Sequence, residues 1–423
     1  MHSNLATVLP VFRGFEPYLH EWRPLEGRFI FKSPWRPHLS AGHQHLHLYL
    51  SYSLPFSITP SPISTMASQT QPTNGEMVAF RFIPQATGGA SVARQVIPIP
   101  APGPDECLVK ILAAGVCHSD CSILDADFQK GMFAMPNPFV LGHEGAGVVV
   151  SVGSDVTDFE PGSYVALLGT NACYTKSCGA CLHGLDNACL NHPYLGFGGD
   201  GFFASHVSVS TRNLVEIPAD QETVKPSVAA ISTDAVLTPY HSLVSCAKLT
   251  PDQTVLVIGA GGLGLNAIQI AKNVIGVKTV VVTDVRDVSV KAALAVGADY
   301  ACKPEELDDL IKEHSFVFDT VVDVVGNAET FGSSLQRVRI GGLIQVIGLS
   351  VREIPLPLVA VAMKNVTIKM SAWGTKSELK EVLSAVAAGK VKPQVEERSL
   401  EECMEVLQDL ATGKLKSRVA LIP

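Results

Sequence analysis

The sequence predicts a two-domain α/β protein in which a β-rich domain is followed by a doubly wound parallel sheet. Three observations indicate this. Short apolar runs broken by glycine and proline occupy residues 77–217, a pattern typical of a compact β-rich domain. From Thr254 onward buried strands alternate with helical patterns, which is the arrangement of repeated βαβ units. The chain has 423 residues, enough for two domains with their own cores.

Composition narrows the class of protein. The chain is 47% hydrophobic and 17% charged, which is typical of a globular enzyme rather than a disordered chain. A net charge of -8 argues against a nucleic-acid partner, because such proteins normally carry a basic patch. No run of about 18 apolar residues is present, so we expect no membrane partner. We therefore expect neither a nucleic acid nor a membrane as partner.

The first 65 residues differ from the rest of the chain. They are rich in His, Pro, Ser and aromatic residues and show no helical or strand period. We expect residues 1–65 to be a disordered, dispensable extension, and Met66 offers an alternative start. A mitochondrial transit peptide is the open alternative because the segment carries arginines, although its glutamates and prolines weaken it.

The elements of the first domain follow from apolar runs bounded by turn residues. The predicted strands are 77–83, 107–112, 147–152 and 164–167. A cluster of four cysteines lies between residues 162 and 218, and its close spacing includes a C-x-x-C pair. Such spacing favours metal binding in a reducing compartment over a disulfide framework, so we expect a cytoplasmic protein.

In the second domain the spacing of apolar residues changes, so that buried strands alternate with amphipathic helices. The predicted strands are 255–258, 280–282, 318–324 and 343–347. Helical patterns follow from about residue 263, over 288–296 and over 377–388. We divide the chain into domains at 66–234, 235–371 and 372–423.

A glycine-rich segment fits the dinucleotide-binding pattern G-x-G-x-x-G. It follows a strand and opens a helix, as the mechanism requires. Gly259 would allow the tight turn, Gly261 would let the backbone approach the pyrophosphate, and Gly264 would let helix and strand pack closely. Gly262 and Leu263 open the helix, whose free N–H groups would bind the phosphates.

An acidic residue at the end of the next strand predicts the nucleotide. Asp284 would accept hydrogen bonds from the adenosine ribose, and its charge would repel the 2′-phosphate of NADP, so we predict NAD. Arg286 keeps NADP open, because a nearby arginine can accommodate that phosphate. The alternative for Asp284 is a helix cap, although Asp287 is better placed for that role.

Two side chains in the first domain are candidate zinc ligands. Cys117 offers a thiolate and His143 an imidazole, and a catalytic zinc needs a third protein ligand while leaving one position open. The alternative is a buried cysteine and a core histidine. The context of His143, in Gly-His-Glu-Gly before the strand-like run at 148–150, favours the metal site.

The segments Gly115–Asp120 (GVCHSD) and Gly142–Gly147 (GHEGAG) resemble the zinc-site motifs of the zinc-containing alcohol dehydrogenases of the medium-chain dehydrogenase/reductase family. The resemblance extends from about Met77 to the C-terminus. It implies a GroES-like catalytic domain, a Rossmann NAD-binding domain and a C-terminal tail that returns to the first domain. It also implies a homo-oligomer and a small-molecule partner, the alcohol or carbonyl substrate.

The resemblance implies the rest of the catalytic zinc site. Residues 229–240 resemble the segment that supplies the third ligand, where many members have Cys, some have Asp, and this chain has Asp234. Asp120 matches the carboxylate that hydrogen-bonds the ligand imidazole, and Glu144 sits close to the metal. The alternatives are a helix cap for Asp234, a turn residue for Asp120 and an outer charge for Glu144.

Further positions match by resemblance to residues that handle the substrate proton and the cofactor. Ser119 matches the hydroxyl that passes the proton from the substrate oxygen, but Ser122 stands where the family often continues the relay with His. His118 and Arg418 match residues near the pyrophosphate, with surface positions as the alternative. Thr238 is a candidate for nicotinamide contact.

The cysteine cluster resembles the structural zinc lobe of the same family. Cys178, Cys181 and Cys189 match three of its four ligands, whereas Thr175 occupies the position of the usual first one. Cys173, two residues earlier, could complete a closed four-sulfur site. The alternative is a lobe of free thiols. With the catalytic site, this predicts two zinc ions per chain.

The sequence therefore predicts a zinc-dependent oxidoreductase that transfers hydride between an alcohol and NAD, with aldehyde or ketone reduction in reverse. One alternative is a zinc-free reductase of the same superfamily that acts on activated double bonds, as enone and quinone reductases do. A second alternative is a non-catalytic zinc-binding protein. The complete ligand set argues against the first, and the glycine-rich segment against the second. Trp373 and Leu349 are candidates for the substrate pocket, with core packing as their alternative.

Overall fold

The computed structural model describes residues 71–423, except residues 87, 130–134 and 416. The predicted extension, residues 1–65, lies outside the described residues, so its character stays a prediction. No helix within the described part of the chain is long and apolar enough to cross a membrane.

Strands make up most of the first half and alternate with helices in the second. The strands are β1 Glu76–Pro84, β2 Ala90–Pro98, β3 Glu106–Val116, β4 Phe139–Val140, β5 Glu144–Val152, β6 Tyr164–Leu168, β7 Tyr194–Leu195, β8 Gly198–Gly199, β9 His206–Ser210, β10 Leu214–Glu216, β11 Thr254–Ile258, β12 Thr279–Thr283, β13 Tyr300–Cys302, β14 Phe318–Asp323, β15 Val338–Val346, β16 Thr367–Met370, β17 Val395–Ser399 and β18 Arg418–Ile422. The α-helices are α1 His118–Ser122, α2 Ala126–Gln129, α3 Gly179–Leu182, α4 Pro226–Ile231, α5 Leu237–Tyr240, α6 Gly262–Gln269, α7 Asp287–Ala295, α8 Leu307–His314, α9 Ala328–Arg337, α10 Leu358–Lys364, α11 Lys376–Ala387 and α12 Cys403–Ala411.

The β-rich part is built on one large sheet with strand order β10-β6-β5-β3-β18-β17, in which β9 also pairs with β3. A smaller sheet, β2-β1-β4, packs with it around buried aromatic side chains that include Phe82, Phe139 and Phe203. The C-terminal strand β18 lies antiparallel to β3, pairing Val419 with Val116. The chain's last residues therefore lie beside the strand that leads to Cys117.

The second half forms a six-stranded parallel sheet of order β13-β12-β11-β14-β15-β16. Its strands are buried on both faces, since Val255, Leu256 and Val257 have no exposed surface. The strand order reverses between β11 and β14, and ligands of such sheets bind at the carboxyl ends of the strands at this point. The predicted fold class, a GroES-like β domain plus a Rossmann sheet, is confirmed.

A continuous helical segment, residues 226–246, connects the two parts. Two of its turns, Ser232–Val236 and His241–Cys246, are widened to π geometry, a feature often found at functional sites. The first of these turns contains Asp234, so Asp234 lies inside the segment and is not a helix cap. The predicted boundary between residues 234 and 235 also falls inside this turn.

One detail of the second domain differs from the prediction. Helix α7 has Arg286 at its N-cap position, and Asp287 is its first helical residue. The carboxylate of Asp287 lies 2.9 Å from the ammonium of Lys303 instead of capping the helix. The sequence does not indicate this ion pair, because Asp287 and Lys303 are far apart in the chain and come together only when β13 joins the sheet.

Candidate active site and metal centres

Four potential metal ligands meet where β3, β5 and the connecting helical segment approach one another. One donor atom from each of Cys117, His143, Glu144 and Asp234 lies within 4.8 Å of the others. Cys117 follows β3, His143 and Glu144 lie at the start of β5, and Asp234 comes from the connecting helical segment. Three separate parts of the chain thus supply one cluster.

The spacing of these donors fits a tetrahedral zinc ion. The Oδ2 atom of Asp234 lies 3.5 Å from Sγ of Cys117 and 3.8 Å from Nε2 of His143. Ligands bound to zinc at normal bond lengths are separated by about 3.5 Å. Sulfur, nitrogen and oxygen donors are also the set that zinc accepts.

The carboxylate of Asp120 fixes two of the donors. Its Oδ1 lies 3.0 Å from Nδ1 of His143, and its Oδ2 accepts a hydrogen bond of 2.8 Å from the backbone N–H of Cys117. Asp120 is fully buried. Because Nδ1–H donates to this carboxylate, the Nε2 lone pair of His143 faces the cluster, as a ligand requires.

Asp234 is oriented by its other oxygen. The hydroxyl of Thr238, one turn further along the segment, donates to Oδ1 over 2.6 Å. Oδ2 remains directed towards the cluster. Burial opposes ionisation of Asp234, but the hydrogen bond and charge of His143 and the charge of Arg418 outweigh it and hold the pKa of this carboxyl below its ordinary value. The carboxylate of Asp234 is therefore anionic at neutral pH.

Glu144 and Arg418 form an ion pair behind the cluster. The guanidinium of Arg418 donates to Oε1 of Glu144 and, over 3.2 Å, to Oδ2 of Asp234. Oε2 of Glu144 is buried and has no hydrogen-bond partner among the described residues. The Glu144 side chain can lie here because residue 115 is glycine, since a Cβ on Gly115 would lie 2.1 Å from Oε2. An unsatisfied buried carboxylate oxygen beside three donors supports a cation site.

The two serines differ in position. The Ser119 hydroxyl lies 3.3 Å from Nε2 of His143, at the inner face of the cluster. The Ser122 hydroxyl is directed away, because it donates to the backbone carbonyl of His118 over 3.1 Å. Only Ser119 is placed to contact a substrate oxygen at the metal position.

The glycine-rich loop has the geometry assigned to it from sequence. Gly259 adopts a positive φ of 100°, which favours glycine. A Cβ on Gly264 would lie 2.0 Å from the carbonyl oxygen of Gly259, so only glycine fits there. Gly261 has open space at its Cβ position, where a ligand could approach the backbone. Gly262 and Leu263 form the first turn of α6.

Asp284 is held rigidly at the end of β12. Its Oδ2 accepts a hydrogen bond of 2.8 Å from the backbone N–H of Ala260, and its Oδ1 accepts one of 2.9 Å from that of Arg286. The side chain of Arg286 turns back towards it, with Nε 3.4 Å from Oδ1. Asp284 is therefore tied to the glycine-rich loop.

Three basic residues, His118, Arg286 and Arg418, lie near one another. A Cβ on Gly262 would lie 3.8 Å from Nη1 of Arg418, so this guanidinium adjoins the N-terminus of α6. Desolvation and the positive charges of Arg418 and Arg286 lower the pKa of His118. Arg418 therefore places a positive charge beside the N-terminus of α6, an end suited to a pyrophosphate, whereas its lowered pKa leaves His118 mainly uncharged at neutral pH.

The four cysteines of the predicted lobe meet in space. Sγ of Cys173 lies 3.6 Å from that of Cys189 and 3.8 Å from that of Cys181, and Cys178 lies 3.8 Å from Cys189. Four sulfurs around zinc are separated by about 3.8 Å. None of these residues is in a disulfide. Thr175, at the usual ligand position, contacts the sulfur of Cys173 over 3.3 Å.

Electrostatics also favours a cation in this lobe. Hydrogen bonds from Thr175 and Asn191 lower the pKa of Cys173 to about 5. Burial and the neighbouring sulfurs raise the pKa of Cys181 to about 12. Thiols this close resist ionising together, and a bound metal removes that conflict.

Aromatic rings line the other side of the catalytic cluster. Trp373 and Phe197 stand edge-on to the imidazole of His143, with centroids at 6.0 and 5.0 Å, and Tyr194 packs against Trp373 at 4.9 Å. Leu349, by contrast, is 69% exposed. The sequence offered no signal for Tyr194, in the short strand β7, or for Phe197, which lies between β7 and β8, because no motif marks this stretch.

Comparisons with known proteins agree with this geometry. Residues 103–219 match the family described as the alcohol dehydrogenase GroES-like domain, and residues 262–388 match the zinc-binding dehydrogenase family. An alcohol dehydrogenase of Geobacillus stearothermophilus is 33% identical over 75% of this chain and 91% of its own length.

Solved structures show the same similarity. An acetophenone reductase from Geotrichum candidum in complex with NAD is 35% identical, with a TM-score of 0.72 over 82% of this chain and 98% of that one. An alcohol dehydrogenase from Aeropyrum pernix is 28% identical, with a TM-score of 0.73 over 82% of this chain and all of its own. The chain therefore belongs to the zinc-containing medium-chain alcohol dehydrogenases, NAD(P)-dependent oxidoreductases that interconvert alcohols and carbonyl compounds.

Proposed function

We propose that this protein oxidises alcohols with NAD and reduces the corresponding carbonyl compounds in reverse, at a zinc ion held by Cys117, His143 and Asp234. The contact between Arg418 and Asp234 carries the proposal, because the same guanidinium adjoins the first turn of α6 at Gly262. The metal donors and the phosphate-binding helix therefore face one cleft. A hydride donor and its acceptor need this proximity.

Each residue around the proposed zinc site would have its own role in the reaction. Zinc, when bound, would supply Lewis-acid polarisation of the substrate oxygen and lower its pKa. Ser119 would take the proton from that oxygen and pass it towards the ribose hydroxyls and water, since Ser122 is directed elsewhere. Asp120 holds the imidazole of His143 in the ligating tautomer, and Thr238 holds Asp234. Glu144 is placed to balance charge at the metal.

Two serines allow a direct test of the proton path. We expect Ser119→Ala to lower kcat by roughly 100-fold or more, within the range for a lost proton-transfer group. Ser122→Ala is the matched control, because it removes the same atom three residues further along the same helix. Equal losses in steady-state kinetics of the two variants would contradict the assignment.

We propose NAD as the preferred cofactor. Asp284 sits where the adenosine ribose would bind, and its negative charge disfavours a 2′-phosphate. The guanidinium of Arg286, which could attract that phosphate, is instead engaged by Asp284. A ratio of kcat/KM that favours NADP over NAD would overturn this assignment.

We propose secondary aromatic alcohols and aryl ketones as the substrate class. The rings of Phe197, Trp373 and Tyr194 form an aromatic wall next to His143, and aromatic pairs prefer this edge-on packing. The similarity to an acetophenone reductase supports the same class. The test is NADH formation by the zinc-loaded protein with 1-phenylethanol, 2-propanol and ethanol. A preference for ethanol would reject the class, and no turnover of any alcohol would reject the function.

We propose that the chain forms a homo-oligomer through α10 and the edge strand β16. Helix α10 buries none of its side chains, and Leu358, Val359 and Met363 are 69, 77 and 78% exposed. Strand β16 pairs only with β15 among the described strands. A second copy would cover both the apolar face and the open strand edge. Analytical ultracentrifugation tests this, with Val359→Asp expected to shift the protein towards monomer.

A further inference from the structure

A third cluster of titratable side chains lies outside both metal centres, where the connecting helical segment meets α11. Nδ1 of His241 lies 2.9 Å from each carboxylate oxygen of Glu378, and its Nε2 lies 3.3 Å from Sγ of Cys246. His241 and Glu378 are 4 and 7% exposed, whereas Cys246 is half-buried. A thiol, an imidazole and a carboxylate are thus aligned in that order.

The widened helical turn creates this alignment. His241 and Cys246 are five residues apart, and in a regular α-helix such residues point about 140° away from each other. The turn His241–Cys246 has π geometry, whose hydrogen bonds join residues five apart, so both side chains share one face. The backbone is therefore shaped so that thiol and imidazole meet.

We propose that Cys246 is a reactive thiol and a site of covalent modification by hydroperoxides and soft electrophiles. His241 takes its proton, and Glu378 holds the resulting imidazolium. The arrangement of nucleophile, base and orienting carboxylate is the one that activates cysteine nucleophiles in general.

The charges around the cluster support a thiolate. Burial lowers the pKa of His241, but the hydrogen bonds with Cys246 and Glu378 outweigh it and raise that pKa to about 9. Burial raises the pKa of the Cys246 thiol, and the hydrogen bond and charge of His241 outweigh it, so that its net direction is downward. Glu378 opposes the thiolate, but it acts from the far side of the imidazole.

The remaining neighbours of Cys246 do not oppose ionisation. The ammonium of Lys369 donates to the carbonyl of Cys246 over 2.7 Å, which offsets the negative end of the helix. The hydroxyl of Ser371 also lowers the pKa of the thiol by hydrogen bonding. In the other cysteines outside the metal clusters the net direction is upward, because burial raises the pKa of Cys107, Cys121, Cys302 and Cys403.

The reaction with a hydroperoxide balances without a further reagent. The Cys246 thiolate attacks the distal peroxide oxygen, so that an S–O bond forms and the O–O bond breaks. Sulfur is oxidised by two electrons to sulfenic acid, and the peroxide is reduced. The departing hydroxide or alkoxide takes the proton held by His241 and leaves as water or alcohol.

The first test uses the zinc-loaded wild-type protein, in which the metal protects the cluster thiols. Limiting iodoacetamide is added between pH 7 and 9, and labelled peptides are quantified by mass spectrometry. We expect Cys246 to react first, with a rate that rises less steeply over this range than that of an ordinary thiol. An ordinary thiol with a pKa near 8.5 gains roughly 25-fold. Labelling of Cys246 with that ordinary profile, or after Cys302, would overturn the proposal.

The second test uses two variants of the same helix. Glu378→Gln removes the carboxylate that holds the imidazolium, and we expect the labelling rate of Cys246 at pH 7 to fall by up to about tenfold, the limit for a rise of one pKa unit. Glu381→Gln is the matched control, since Glu381 accepts from the Tyr240 hydroxyl at 2.5 Å instead. Equal rates for both variants would refute the role of Glu378. Dimedone trapping after hydrogen peroxide treatment should yield a Cys246 adduct, and its absence would refute the oxidation.

Discussion

Asp120 offers the sharpest test of how the catalytic cluster is assembled. One carboxylate fixes two proposed ligands, His143 through its ring N–H and Cys117 through its backbone N–H. In Asp120→Asn, one of these two acceptor oxygens becomes an NH2 group that can only donate. Either the imidazole or the backbone N–H of Cys117 then faces a donor in a fully buried position.

The expected loss of zinc affinity follows from the hydrogen bond that the variant lacks. An unsatisfied buried polar group costs about 1–3 kcal/mol. Carboxylates that orient ligating histidines typically contribute 10–100-fold in metal affinity, or about 1.4–2.7 kcal/mol. Both ranges agree, so we expect Asp120→Asn to weaken zinc binding by roughly 10–100-fold.

The assay is competition for zinc with a chromophoric chelator, and the control is Asp125→Asn. Asp125 is exposed in the same segment, and its Oδ1 accepts from the backbone N–H groups of Asp127 and Phe128 at the start of α2. Asparagine can replace it there, because it also caps helices. If the Asp120→Asn and Asp125→Asn variants bound the catalytic zinc with the same affinity, the reasoning about Asp120 would be wrong.

Three further predictions rest on other parts of the structure. The pKa of His241 is raised to about 9 and that of Glu378 is lowered to about 2. Their ion pair therefore stabilises the folded state fully between pH 4.5 and 6.5. This stabilisation is lost as the pH rises through 9 or falls through 2. The Tm difference between wild type and Glu378→Gln should therefore shrink from pH 6.5 to 10, and a constant difference would contradict the pairing. Gly264→Ala should lower Tm because its Cβ meets backbone, whereas Gly261→Ala should retain Tm and weaken NAD binding in fluorescence titrations; the reverse order would refute the loop assignment. Cys173→Ser should reduce the zinc content measured by mass spectrometry from two ions per chain to one and lower Tm, and unchanged content would exclude Cys173 as a ligand.

The parts of the site that sequence could predict are those encoded within a short stretch. The glycine-rich loop has its turn and its close packing within one βαβ unit, and Gly259 and Gly264 show both features. Asp234, by contrast, lies 117 residues from Cys117, so only the family resemblance indicated it. The pair Glu144–Arg418, separated by 274 residues, has no local signal because it depends on β18 returning beside β3.

The two π turns could not be predicted from the sequence either, and the reason is physical. Apolar periodicity reports which face of a helix is buried, and residues 226–243 are buried almost throughout, so no period distinguishes an α turn from a π turn. The choice is made by tertiary contacts. One such contact is the Asn266 side chain, which donates to the carbonyl of Ala235 over 2.9 Å and satisfies a group in the first π turn.

The proposed role of Asp234 as the third ligand accounts for the arrangement of its neighbours. A thiolate offers one ligating atom, but a carboxylate has two oxygens and can rotate between them. Thr238 engages Oδ1 over 2.6 Å, and Arg418 engages Oδ2 over 3.2 Å from the side of the cofactor helix. With both oxygens restrained, Oδ2 remains directed at Cys117 and His143. Asp234 therefore depends on Thr238 and Arg418 for its orientation, and the site, α6 and the C-terminal strand act as one unit rather than as three independent motifs.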